Sequence, residues 1–278
     1  MATPPPELRI PDERLHALIL ATAQDIGALL ADADPGVRVP SSVWTLGEAA
    51  AHLALANELM ADLAAGAERP YGDGTPGGLA AANAESLARF PERTPGVLGA
   101  AVVEHARAFV SASVAAAGDA GDAGDAGRVL GTPMGEMDLA TLGSYLLTHM
   151  LGHGWDLARA LRRPHMISRQ RAELCLPFLV AAMPRVVDPV AVGGLNARYT
   201  IGVRGGQRFS AVFESGALTV TPGTAHRPDC TIITEPVTFL LIALGRCSPW
   251  GAIGRGRISA WGRRPLLAPA FPTYFRAP

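Results

Sequence analysis

The hydrophobic repeat changes near residue 165, and that change constrains the fold more than any other feature of the chain. Before it, apolar residues recur at helical spacing. Leu15, Leu18, Ile19, Ala23, Ile26, Leu29 and Leu30 form one such stripe, which stops near "DADPG". After it, the chain breaks into short β-rich runs, "RYTIGV", "RFSAVF", "ALTVT" and "CTIIT". One chain with two such patterns reads as an all-helical bundle over residues 1–165 followed by a smaller α+β domain over residues 166–278.

The elements follow from local signals. Thr45 and Glu48 make a capping box that starts a helix at Leu46, with His52 in its interior. "LAAANAESLARF" reads as a short helix and "PGVLGAAVVEHARAFVSASVAAAG" as a longer one. The tract "GDAGDAGDAG", residues 118–127, is compositionally a flexible linker, and the Pro-rich residues 1–11 a loose arm. A long helix then runs from about Asp138 to Arg162, completing four long helices and a short one. In the second half "SRQRAELCLPFLVAAMPRVV" reads as a single helix. "VRGGQ" and "ESG" read as hairpin turns, "PVTFLLIALG" as a helix, "RISAWG" as a strand and "PLLAPAFPTYF" as a closing helix.

Composition excludes several functions. The net charge is −1, without the basic balance of nucleic-acid or anionic-membrane binders. All 24 cationic side chains are Arg, so no Lys is present to form a Schiff base or a phosphate-loop contact. Cys175, Cys230 and Cys247 are too few and too scattered for a disulfide framework or a CxxC site. The N-terminus lacks a basic start followed by an apolar run, so no signal peptide is expected. No unbroken apolar run approaches ~18 residues, so no membrane span is expected, and a reducing cytoplasm is the default.

The chemistry concentrates in "LLTHMLGHGWDL", residues 146–157. His149 and His153 stand four residues apart, so their imidazoles project from one helix face one turn apart, the spacing used to chelate a metal from a helix. A facing helix of a bundle can supply a third ligand, and His52, set among Ala and Leu, is the best candidate. Three neutral imidazoles with an open fourth position describe a catalytic zinc-like site, and imidazole also suits nickel, iron or copper. The plainer alternative is that these are satisfied core histidines. His16 and His105 are reserve ligands, and Trp44 and Trp155 read as core.

Several stretches resemble a known family. "VPSSVWTLGEAAAHLA" is similar to the Trp-Thr…His-Leu block of the second helix in the DinB-like superfamily. "LLTHMLGHGWDLARAL" is similar to its last bundle helix, and "AANAESLARF" to its Asn-containing third helix. The nearest branch is the actinobacterial, mycothiol-dependent maleylpyruvate isomerase family, whose members join this bundle to a domain like sterol carrier protein. "DCTIITEPVTFLLIALGR" and "GRISAWGRRPLLAPAF" resemble that second domain. The resemblance implies a DinB-like four-helix bundle with a sterol-carrier-like α+β domain, and His52, His149 and His153 as metal ligands. It departs at one position. The isomerase places a Glu where this chain has His149, and a three-His set is more like the thiol S-transferase branch.

The implied function is that of a metal-dependent enzyme using a small thiol of the mycothiol type. Zinc is the first expectation for the metal, with nickel or iron as alternatives, and the reaction is S-transfer or cis–trans isomerisation of a small electrophilic or unsaturated substrate. Asp156, one turn beyond His153, is a candidate to orient that ligand, or else pairs with Arg159 or Arg162. Arg246 is the candidate to hold a substrate carboxylate, with Arg255, Arg257 and Arg263 as competitors. The expected partners are the substrate and the thiol, not nucleic acid or membrane, and homodimerisation is left open. The alternative function is a lipid- or small-molecule-binding protein that uses the sterol-carrier-like domain, with any bundle metal structural.

Overall fold

A computed structural model describes residues 12–40, 42–119 and 129–276. The Pro-rich residues 1–11 and most of the tract over 118–127 lie outside the described residues. The chain divides into two compact units, the first ending at Ile167 and the second beginning at Ser168.

The first unit is helical. It contains α1 (Asp12–Leu30), α2 (Leu46–Ala64), α3 (Leu79–Arg89), α4 (Pro95–Asp119) and α5 (Leu139–Ala160). Helices α1 and α2 each pack on both α4 and α5, and α3 leans on α2. The core is formed by the predicted α1 stripe, with Leu15, Ile19, Ile26 and Leu30, and by Leu142, Leu146, Leu147 and Met150 of α5, all buried. Small residues set the closest approach. A Cβ on Gly99 of α4 would lie 3.1 Å from the Cα of Gly27 on α1, so the two backbones can meet only without side chains there. Within α4, residues Pro95–Ala117 (mean hydropathy 1.3) are long and apolar enough to cross a membrane by length and composition, which the sequence reading did not expect. Here Leu98, Val102, Ala106 and Phe109 of that helix are buried, and the helix packs on α1 and α2.

The second unit holds a five-stranded sheet built from β1 (Ala197–Val203), β2 (Arg208–Glu214), β3 (Ala217–Pro222), β4 (Cys230–Thr234) and β5 (Ile258–Trp261). The strand order is β3-β2-β1-β4-β5, with only the β1–β4 pair parallel. The β2–β3 hairpin turns through Ser215 and Gly216, at φ 52 and 80, the paired left-handed geometry that matches strand twist. Tyr199 of β1 and Phe213 of β2 are fully buried against Phe271, whose ring centroid lies 4.9 Å from that of Tyr199.

Two predicted helices differ from expectation. The segment read as one helix splits into α6 (Arg169–Leu174) and α7 (Leu176–Ala182), followed by a 3-10 turn at Met183–Arg185. Pro177 and Pro184 lack the N–H that would continue each helix, and a proline ring crowds the carbonyl four residues back. The closing helix is likewise reduced to α11 (Leu267–Ala270) and a 3-10 turn, Phe271–Tyr274, by Pro269 and Pro272. Between these lie α8 (Pro189–Val192), α9 (Pro236–Ala243) and α10 (Pro249–Gly254), of which only α9 was expected.

Candidate metal site in the helical bundle

The site begins with two helix starts. Thr45 caps α2: its hydroxyl accepts from the Glu48 N–H at 3.3 Å, and its own N–H donates to Glu48 Oε2 at 2.7 Å. These bonds, the backbone one foremost, hold the Glu48 carboxyl below the usual range. They also commit that carboxylate to the helix start rather than to His52 one turn on. Asp138 caps α5, accepting from the Thr141 N–H at 2.7 Å. Each cap fixes where its own helix begins.

His52 of α2 and His149 and His153 of α5 converge where these two helices pack together. One ligand nitrogen from each lies within 4.8 Å of the others. His52 Nε2 and His149 Nε2 are 3.1 Å apart, and the ring centroids of the three imidazoles are separated by 4.5 to 5.0 Å. His52 is buried, while His149 and His153 are half-buried. Burial lowers the His52 pKa to about 4, so the imidazole is neutral and ligand-competent at neutral pH.

Aromatic side chains bracket the three imidazoles. Trp44, immediately before the cap, places its ring 4.9 Å from His52 and 6.2 Å from His153. Tyr145, one turn before His149, meets that ring edge-on at 6.3 Å and 88°. Desolvation pushes the Tyr145 phenol pKa up, and the neighbouring Tyr71 phenol adds to the shift. Tyr71 in turn donates to Asn83 Oδ1 at 2.7 Å. Sequence reasoning assigned Trp44 to the core and passed over Tyr145. The available signal was the four-residue spacing that puts Tyr145, His149 and His153 on one stripe of α5.

None of the other candidates is among the convergent ligands. Asp156 is half-buried on α5 and is not among the convergent ligands. His105 Nδ1 is 3.1 Å from the Ala54 carbonyl, a tie between α4 and α2 rather than a ligand. Arg246 is in the second unit, where its guanidinium donates to the Leu244 carbonyl at the end of α9. Of its competitors, Arg263 is paired with Asp229 at 2.6 Å and Arg257 lies 3.8 Å from Glu235.

The profile of the mycothiol maleylpyruvate isomerase N-terminal domain family matches residues 16–158, just over half of the 278 residues. The chain belongs to this family. In the mycothiol maleylpyruvate isomerase N-terminal domain family profile, the match spans all three histidines. Among solved structures, a His-to-Ala mutant of the mycothiol-dependent maleylpyruvate isomerase is 15% identical. It aligns over 90% of this chain and 93% of that one at a TM-score of 0.50, a shared fold. The sterol carrier protein domain 2 of Helicoverpa armigera aligns over 30% of this chain and 67% of that one, at 19% identity and a TM-score of 0.26. A stereoselective inverting sec-alkylsulfatase from Pseudomonas sp. is 17% identical and aligns over 50% of this chain at a TM-score of 0.34; the chain spans 24% of that enzyme's length. No curated protein matches the chain.

Proposed function

We propose that the chain is a metal-dependent enzyme that uses a small thiol of the mycothiol type to modify or isomerise a small electrophilic or unsaturated substrate. The observation that carries this reading is the convergence of His52, His149 and His153 within 4.8 Å. The donor set fits a divalent ion, with three imidazoles from two helices, one held neutral by burial, and no carboxylate among them. Zinc suits such a set first, and nickel or iron by the same imidazole chemistry. When bound, the ion would supply Lewis acidity and favour the thiolate form of a thiol.

The side chains set the conditions for that chemistry. Glu48 is held by Thr45, so no carboxylate joins the three imidazoles, and the site would attract an anion once an ion is bound. Trp44 and Tyr145 flank the imidazoles with aromatic surface, which limits the access of water. In the proposed reaction a thiol sulfur forms a bond to an electrophilic carbon, and the thiol proton passes to solvent. S-transfer ends with loss of a leaving group; isomerisation ends when the same S–C bond breaks after rotation. Asp156 is assigned to orienting His153, and Arg246 to holding a substrate carboxylate. The family match and the shared isomerase fold support an enzyme over a carrier protein.

Elemental analysis of the purified protein tests the reading. About one transition metal per chain is expected, lost in His52→Ala and His149→Ala. A metal-free, folded protein that retains a lipid would favour the binding-protein alternative and end the enzyme reading.

A further inference from the structure

The whole-chain charge of −1 conceals a division. Residues 1–167 hold 11 Arg against 20 Asp and Glu, a net −9, whereas residues 168–278 hold 13 Arg against 5, a net +8. Strand register gathers part of this positive charge on one face of the sheet. Thr200 of β1 pairs with Ser210 of β2 and Thr231 of β4, and Thr231 pairs with Trp261 of β5, so these side chains share a face. Arg198 and Arg208, each two residues along a strand from this row, join it. The opposite face holds the buried Tyr199, Phe209, Phe213 and Ile232. The connection from β3 to β4 runs over the polar face, where the Ala225 N–H donates to Thr200 Oγ1 at 3.0 Å, and it carries the exposed Arg227.

One buried carboxylate organises the end of this face. Asp229 Oδ1 accepts from the Arg263 guanidinium at 2.6 Å, Oδ2 accepts from the Arg198 N–H at 3.0 Å, and the Asp229 carbonyl accepts from the Arg264 N–H at 2.9 Å. These bonds fix the segment "WGRRPL", residues 261–266. Trp261 is 52% exposed and Leu266 is 76% exposed, and they bracket the exposed Arg263 and Arg264. The strands add one carboxylate to the face, Glu214, 3.3 Å from Arg198. A single exposed apolar residue needs no partner, but an indole and an isobutyl group set around two guanidinium groups combine the two attractions of an interfacial anchor.

We propose that the sheet unit docks on an anionic lipid bilayer, with Arg198, Arg227, Arg263 and Arg264 at the headgroup phosphates and Trp261 and Leu266 in the interfacial layer. Charge complementarity selects an anionic partner, and guanidinium groups suit phosphate oxygens. The apolar pair then separates the candidates. A nucleic acid would meet the arginines but leave Leu266 in water. A second copy of the chain would offer the carboxylates of its acidic residues 1–167, which give nothing to Trp261 and Leu266. An anionic bilayer accommodates both kinds of group. Two apolar side chains bury little area, so docking is reversible and sensitive to salt. The proposal is independent of the metal chemistry of the bundle.

The test sediments the full chain with vesicles of phosphatidylcholine alone and of phosphatidylcholine mixed with phosphatidylglycerol, at low and high salt. Wild type is expected to bind the mixed vesicles at low salt, to leave them at high salt and to ignore phosphatidylcholine alone. Arg227→Gln and Arg264→Gln should each weaken binding about fivefold. Trp261→Ser with Leu266→Ser should weaken it about tenfold, since both side chains are exposed in the free protein and enter the bilayer only on docking. The wild-type arms decide without any variant: no binding to the mixed vesicles, or equal binding to both kinds, overturns the proposal. Unchanged binding by the folded Trp261→Ser, Leu266→Ser protein also overturns it, because charge alone would then carry the attachment. Two further arms identify the rival occupants. Binding to duplex DNA without binding to mixed vesicles assigns the face to nucleic acid, and a salt-sensitive dimer without vesicle binding assigns it to a second copy; each overturns lipid docking.

Discussion

His52 shows how burial prepares a single side chain for coordination. Its pKa falls to about 4 from the ordinary 6.5 because the charged form is desolvated. In the metal-free protein the folded state therefore binds fewer protons than the unfolded state between these values. Its contribution is complete above pH 6.5 and is lost as the pH falls towards 4, about 3 kcal/mol in all at 1.36 kcal/mol per unit. Melting temperature measured in chelator should drop across that window, and His52→Phe should flatten the drop. With metal present, His52→Ala should abolish uptake while leaving the fold, because the ring is one ligand among three. At this scale the sequence was partly legible. The four-residue spacing of His149 and His153 is a local signal and could be read directly, and His52 was picked out by its apolar neighbours. Trp44 and Tyr145 were not read as site residues, because an aromatic at helical spacing looks the same whether it faces a core or a ligand. Only the crossing of α2 over α5, a contact between distant segments, separates the two.

The helices that carry the ligands depend on their caps and crossings. Thr45→Ala removes the side-chain half of the capping box of α2 and keeps the backbone N–H that donates to Glu48, an expected loss of about 1 kcal/mol read from urea denaturation. The backbone N–H of residue 45 still holds the Glu48 carboxylate, so metal affinity should change little. Gly99→Leu drives a side chain into the space 3.1 Å from Gly27 and should destabilise by about 1–3 kcal/mol, more than the gain in helix propensity returns. Long periodic elements such as α1, α2 and α5 were readable because they repeat the stripe several times. The strands and their hairpins were readable from alternation and turn residues. Elements of four to six residues, α8 and α10, repeat too little to register, and each begins with the proline that elsewhere signals a break. The same residue divided α6 from α7 at Pro177.

At the scale of the molecule, the three histidines all precede Ile167, so the proposed ligand set comes from one unit. Zinc at a thousandfold excess over its dissociation constant should stabilise that unit by about 4 kcal/mol. Differential scanning calorimetry should show the bundle transition moving up. The break in hydrophobic pattern made the helical and sheet-bearing halves legible in the sequence. The parallel β1–β4 pairing was not, because nothing local to either strand specifies which edge the later strand joins. The ligand geometry carries one more consequence. His52 and His149 are 97 residues apart in the chain. An ion shared between them closes a loop of about a hundred residues, which in a disulfide would remove about 5 kcal/mol of denatured-chain entropy. Cys175, Cys230 and Cys247, none of them in a disulfide, lie in the other unit. The bundle would thus be fastened by a coordinate cross-link, one that a chelator or acid opens and fresh metal closes again.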